Sequence, residues 1–387
     1  MVQELTSNSR VAVIGAGPAG CICAKVLSDA KFEVSVFDKG KFLWTILPTG
    51  GGKCNLAHAE YDFKELAKNY PRGEKFLYSV FSRFGTFETL EFFKSIGVDT
   101  YVRDDNRVFP VSNSSSEVRE KLLKSISNTN FINEEIKNIK KLNNGYKIVS
   151  NKSSYAFDAV VVAIGGHSNL NILEPLKLQI VPQTQSLVGL VLDEDYSGLA
   201  GVSLKKVIYK NLIGDILFTH KGISGPLIYT ISSMKAKDSM PYNLSLKIIE
   251  DINFQELLDK NSHKEIKNLL SIFVPKSFAV RILHDLNIDE NIPCHRVNGL
   301  LRDKIYNKLT NFEVTVISKC ADGEVVTCGG VALDEINSKT MEAKNYPNLY
   351  FCGEVLDIDG FCGGFNLQNC WSTGYVAAQS IVEKFST

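Results

Sequence analysis

Residues 10–15, RVAVIG, form a short β-branched apolar run. Residues 17–30, GPAGCICAKVLSDA, then space apolar side chains for a helix behind a glycine-rich start, and KFEVSVFD returns to an apolar run that ends in an acid. Period-two texture, then period-3.6, then period-two again predicts strand, helix and strand in under 30 residues, the repeating unit of a parallel doubly wound sheet. Helical spacing recurs at 72–99 and 115–127. YKIVSN and YAFDAVVVAIGG read as two strands, the second apolar for long enough to be a buried parallel one.

From about 186 the texture changes to short alternating runs broken by turn residues, VGLVLDEDYSGLAGVSLKKVIYKNLIGDILFTHKGISGPL, which predicts a small β-domain. Residues 253–311 are lysine-rich and helix-periodic, and their charges read as a solvated face. FEVTVISKC, GEVVTCGGVAL and NLYFCGE resume β character before a closing helix. The expected division is an α/β, Rossmann-like domain of 1–185 and 318–387. It is interrupted by a β-domain of 186–252 and 312–317, which carries a helical insertion at 253–311.

At 387 residues the chain exceeds one ordinary core. Its 43 basic and 43 acidic side chains cancel, which speaks against a nucleic-acid partner. The start, MVQELTSNSR, lacks the charged-then-apolar order of a signal peptide, and the first apolar run contains glycines, a proline and a lysine, so no membrane span is expected. Nine cysteines without a secretory signal point to a reducing, cytoplasmic setting. No neighbouring pair has C-x2-C or C-x4-C spacing, so neither a zinc site nor a redox disulfide is expected.

Gly15, Gly17 and Gly20 have G-x-G-x-x-G spacing, opening the Pro18-Ala19-Gly20 helix start directly after a strand, and Asp38-Lys39 closes the next strand. In that context the glycines give a tight turn, a close approach of backbone to a pyrophosphate, and helix–sheet packing; Asp38 is placed to accept from a ribose diol. FAD is favoured over NAD because no second such motif exists, because Ala163-Ile164-Gly165-Gly166 ends a buried strand, and because FCGE puts Glu354 after a late strand.

PTGGGKCNLAH (48–58), DNRVFPVS (105–112), LFTHKGISGP (217–226) and GGVALDEINSKTMEAK with NLYFCGEVLDIDGFCGGFNLQNCWSTGY (within 329–375) resemble a bacterial FAD-binding family of aminoacetone oxidases and NAD(P)/FAD-dependent oxidoreductases. The resemblance spans nearly the whole chain and implies that the inserted β-domain is β-barrel-like. It implies FAD, held by Gly51, Gly52, Lys53, Cys54 and Asn55 beside the flavin; the attachment is expected to be non-covalent because no His or Cys sits in a motif that calls for a flavin linkage. It also implies a carboxy-terminal clamp of Gly353, Glu354, Asp359, Gly360, Gly363, Gly364, Phe365, Asn366 and Leu367. Gly363 and Gly364 are expected to admit the ring, and the helix start near Asn366 to face its N1–C2=O edge. Leu43, Trp44 and Thr45 stand where the family carries Gly-Arg-Lys, and the glycine-rich continuation after 168 is absent, so no nicotinamide preference is inherited.

His220, Cys54 and Lys53 are the candidate reactive side chains. Cys54 reads first as a small residue packed near the flavin, His220 as a hydrogen-bonded turn residue, and His167 as solvent-facing. The expected activity is an FAD-dependent oxidoreductase passing hydride through flavin N5 between a small-molecule substrate and NAD(P)H or oxygen. Because the related glucose-inhibited-division flavoproteins modify tRNA, an RNA-modifying flavoprotein is the alternative.

Overall fold

The computed structural model describes residues 9–166, 168–320 and 326–386; His167 lies outside them. The chain divides into two compact units, one of residues up to Thr184 together with those from Val326, the other Gln185–Val325.

The first unit is built on five parallel strands in the spatial order Leu349–Phe351, Ala159–Val162, Arg10–Ile14 (β1), Glu33–Asp38 (β2) and Asn130–Asn133. β1 is buried after its first residue, as a strand covered on both faces must be. Helix α1 (Pro18–Asp29) returns the chain between β1 and β2. Against it packs the carboxy-terminal helix, Phe365–Phe385. The two helices approach closely because Gly374 is bare: a Cβ there would lie 2.4 Å from the Ala19 carbonyl oxygen.

The stretch expected as one long strand, YAFDAVVVAIGG, is two. Ser154–Phe157 joins an antiparallel sheet with Tyr146–Ser150 and Ile136–Lys141, whereas Ala159–Val162 enters the parallel sheet. Asp158 makes the switch: its N–H donates to Arg10 O (2.9 Å) and its carboxylate accepts from Arg10 N (2.7 Å). The 72–99 helical region is likewise two helices, Glu74–Phe81 and Thr86–Ser95, broken at Gly85.

In the second unit six strands run in the order Ser203–Tyr209, Leu212–Phe218, Gly222–Ser224, Leu190–Leu192, Phe312–Lys319, Tyr242–Leu246. Ile208 and Lys247 exchange both backbone hydrogen bonds at 2.9 Å, so the first and last strands meet and the sheet closes as a barrel. Helices Phe254–Lys260, Ile266–Leu270, Lys276–Asp285 and Gly299–Thr310 share its core. Phe278 joins the two parts, packing 5.7 Å from Phe218 and 5.5 Å from Phe312, ring centre to ring centre.

Candidate functional site

The glycines of the first turn separate by what each one meets. Gly15 has φ +104, and a Cβ on it would sit 2.2 Å from the Ala163 carbonyl oxygen; on Gly20 it would sit 1.9 Å from Gly15 O. Both are demanded by the fold itself. Gly17, the N-cap of α1, has φ −80, and the nearest atom to a Cβ there is Thr45 Oγ1 at 3.9 Å. Nothing inside the protein requires glycine at 17, so its bareness keeps open the space in front of the α1 amino terminus. No side chain caps that terminus, and its first-turn N–H groups, joined by the Thr45 hydroxyl, form a donor set for an anion. Leu43 N donates to Ala16 O (2.7 Å) and Arg119 Nε to Phe42 O (3.0 Å), which fixes the 42–45 loop beside this turn.

Asp38 is already engaged: Oδ2 accepts from Ala16 N and Oδ1 from Gly40 N, each at 2.7 Å. A carboxylate has about four lone-pair sites, so the same group that braces the turn retains capacity for ribose hydroxyls. With Lys39, Ile136, Asn169 and Ile172 it lines a cavity of about 280 Å³ at the strand ends, where ligands of open α/β sheets bind. Ala163 N donates to Ile14 O, closing the wall. Gly165, at φ +76, faces open space, whereas Gly166 is packed so tightly that a Cβ would lie 2.8 Å from Glu354 Cγ.

Glu354 follows strand Leu349–Phe351 and accepts from Thr327 N at 2.7 Å. Gly353 beside it has φ +75, and its α-carbon faces Ala19 in the first turn of α1. The fold therefore brings Glu354 near the glycine turn that opens α1, a juxtaposition of segments more than 300 residues apart.

The expectation for the carboxy-terminal glycines changes in its reason. A Cβ on Gly364 (φ +100) would meet Ala57 O at 2.4 Å, and Gly363 (φ +138) packs against Phe365 and His58. Their bareness serves strand Ala57–His58 and the αL entry into the last helix. Gly360 and Asn366 exchange hydrogen bonds of 2.9 and 2.8 Å that close the loop between them. Asn55 accepts from Gly364 N (3.0 Å) while donating to Ala57 O and Val108 O, so the loop named by the resemblance does touch the helix start. Leu367 is half-buried in the first turn. Phe365 is buried, and its carbonyl accepts from Tyr70 Oη at 2.6 Å; full burial pushes that phenol well up, keeping it a donor.

Open backbone lies instead at Gly51 and Gly52. Both have positive φ, and neither has a neighbour within 4 Å of where a Cβ would stand. Lys53 beyond them is exposed. Cys54 is fully buried, and burial pushes its thiol up to about 12, opposed by a weaker hydrogen bond with Thr49. It remains a protonated packing residue and not a nucleophile. Asp359, expected at the cofactor, is fully buried and forms a two-pronged ion pair with Arg72; it fastens the clamp to the segment before Glu74. His220 belongs to the second unit.

Residue-type reasoning assigned no role to His58, which the structure sets against the clamp. Its Nδ1 lies 3.1 Å from Gly363 O and its ring stacks on Phe365 at 4.5 Å. A carbonyl only accepts, so Nδ1 carries the proton and Nε2 of the neutral ring is an acceptor. Burial pulls the imidazole below its ordinary value, the Gly363 bond partly offsetting it. Its only sequence signal was its place in PTGGGKCNLAH. Among the described residues no cluster could hold a metal ion, and no helix is long and apolar enough to cross a membrane.

Open backbone at Gly17, Gly51, Gly52 and Gly165, two helix amino termini without side-chain caps, and the cavity at Asp38 together fit an FAD laid from the adenosine end toward the last helix. Comparison with known proteins agrees in family and fold. The family described as HI0933-like protein Rossmann domain matches residues 9–380. The ribosomal RNA dihydrouridine synthase of Escherichia coli (strain K12) is 28% identical, over 96% of this chain and 97% of its own. The 3-dehydro-bile acid delta(4,6)-reductase of Clostridium scindens is 26% identical, over 97% of this chain and 100% of its own. Among solved structures, a 3-ketosteroid delta1-dehydrogenase from Sterolibacterium denitrificans shares the fold, with a TM-score of 0.52 at 11% identity over 98% of this chain and 100% of that one.

Proposed function

The chain belongs to the HI0933-like Rossmann-domain family and is an FAD-dependent oxidoreductase; from that premise we propose that it reduces a carbon–carbon double bond conjugated to a carbonyl. The observation that carries the reading is the chemistry common to two full-length relatives with different substrates. A uracil ring becoming dihydrouracil and an unsaturated 3-oxo steroid losing a double bond are both alkenes polarised by a neighbouring C=O. Each gains a hydride at the β-carbon and a proton at the α-carbon. The amine oxidation implied by the sequence resemblance has no corresponding support in the residues of the site.

Bound FAD supplies the two-electron hydride chemistry. The residues of the chain do the rest. The open α1 terminus and Thr45 hold the pyrophosphate, and Asp38 receives the ribose. Donors at the start of the last helix favour negative charge nearby. Gly51 and Gly52 present bare backbone, and His58 keeps a neutral, half-exposed ring at the clamp, with Nε2 able to take up or return a proton. NAD(P)H is the proposed source of electrons.

The test is anaerobic. The flavin is reduced with NADPH or NADH, then mixed with uridine-containing ribosomal RNA or with a 3-oxo-4,6-diene steroid. Reoxidation of the flavin with a product heavier by two hydrogens is the expected outcome. Flavin that stays reduced with either alkene and is reoxidised only when air is admitted overturns the reading. A second reading fixes the substrate as uridine in RNA; the full-length E. coli relative favours it. Because the formal net charge is zero, RNA would be gripped by a local site.

A further inference from the structure

The LFTHKGISGP segment belongs to the second unit. In the fold it runs from strand Leu212–Phe218 through the turn Thr219–Lys221 into Gly222–Ser224 and helix Pro226–Met234. With Gly189–Val191 and Cys320 it walls an open hollow of about 350 Å³, lined wholly by residues of the second unit. That volume is within the roughly 300–1,000 Å³ of small-molecule sites.

The character of the lining is one-sided. His220, Lys221, Thr219, Ser224 and Tyr229 bring an imidazole, an ammonium and three hydroxyls, and among the described residues no Asp or Glu lines the hollow. Among the described residues, neither Lys221 nor His220 is paired with an acid. Its floor is bare for no internal reason. Gly189 lacks positive φ, and a Cβ there would stand 3.4–3.6 Å from Ile223 O, Cys320 Cβ and Ser224 Cβ, which is ordinary contact. A side chain at 189 would be tolerated by the strand and would occupy the hollow. Strand alternation puts Val191 and Ser224 on the same outer face, while Leu190 and Ile223 point into the core.

We propose that this hollow is a recognition site for a small ring compound bearing an oxyanion, of the kind a pyrimidine nucleotide presents. Lys221 and the hydroxyls meet the oxyanion, and the Tyr229 ring and Val191 flank the planar body. Aromatic side chains stack on bases without regard to sequence, and cationic donors give the anion most of its hold. The choice of a pyrimidine nucleotide as ligand rests on the uridine reading above. The hollow itself does not.

The probes are uridine 5′-monophosphate, uridine and a short oligouridylate, titrated into the FAD-loaded protein by calorimetry at low salt. The monophosphate should bind at one site per chain. Uridine should bind at least about tenfold more weakly, the loss expected for one charge-assisted contact. Lys221→Met should bring the monophosphate down to the level of uridine. Gly189→Val should abolish binding of all three while the flavin spectrum and NADPH reduction stay as in the parent, showing that the variant is folded. Absence of monophosphate binding to the parent overturns the proposal, as does equal binding to Gly189→Val. Displacement of the monophosphate by the oligonucleotide supports RNA as the source, and binding of the monophosphate alone supports a free nucleotide. Failure of uracil reduction with binding intact removes the uridine reading and leaves the site standing.

Discussion

Gly15 and Gly17 are two residues apart, and the structure predicts opposite consequences for replacing them with alanine. At Gly15 the new Cβ would be 2.2 Å from a backbone oxygen at φ +104. Strained backbone costs about 1–3 kcal/mol, and overpacking costs about as much again, so Gly15→Ala should lose roughly 2–6 kcal/mol of stability. The upper end of that range reaches the whole stability of a marginal domain, about 5 kcal/mol. At Gly17 the nearest neighbour is 3.9 Å away and φ is −80. Alanine is a poorer N-cap than glycine but restricts the unfolded chain, and the two effects leave stability within about 1 kcal/mol of the parent. The same methyl group stands where a pyrophosphate would approach. Losing two charge-assisted hydrogen bonds at roughly 1.5–3 kcal/mol each weakens FAD by about a hundredfold or more. Urea unfolding of the apoprotein and fluorescence titration with FAD measure the two quantities separately. A Gly17→Ala protein that binds FAD like the parent refutes the cradle, and a Gly15→Ala protein of parental stability refutes the packing argument.

Asp38→Ala should weaken FAD at least about tenfold, from a lost bond to a charged acceptor, and should also loosen the turn that Ala16 N and Gly40 N brace; an unchanged dissociation constant would confine the carboxylate to bracing. Glu354→Gln should still bind FAD, more weakly, and raise its reduction potential, because removing a negative charge eases the arrival of electrons; spectroelectrochemistry showing a downward shift would exclude Glu354 from the site. For His58 the folded value lies below the ordinary 6.5 because burial disfavours the charged ring. Its contribution to stability is therefore complete above about 6.5 and is lost as pH falls through the lowered folded value, where the unfolded chain binds the proton more readily. The urea midpoint should fall more between pH 7.5 and 5 for the parent than for His58→Gln, and equal slopes would contradict this.

Local order was legible in the sequence. The change of hydrophobic period over 10–38 specified strand, helix and strand, and with Gly15, Gly17, Gly20 and Asp38 it specified a dinucleotide turn, because periodicity and positive-φ demands act within a few residues. The β texture of 186–250 was legible for the same reason. Tertiary structure decided everything that depends on distant segments meeting. Only there does Ala57 O explain Gly364, Arg72 neutralise the buried Asp359, Asp158 divide one apolar run between two sheets, and Gly363 O fix the proton of His58. Burial is also a property of the assembled core, so the thiol of Cys54 becomes inert only when the loop folds under Thr49. The hollow at Gly189 follows the same logic: residues 189, 220 and 320 share no local pattern, and the pairing of strand Leu190–Leu192 with both Gly222–Ser224 and Phe312–Lys319 places them around one space.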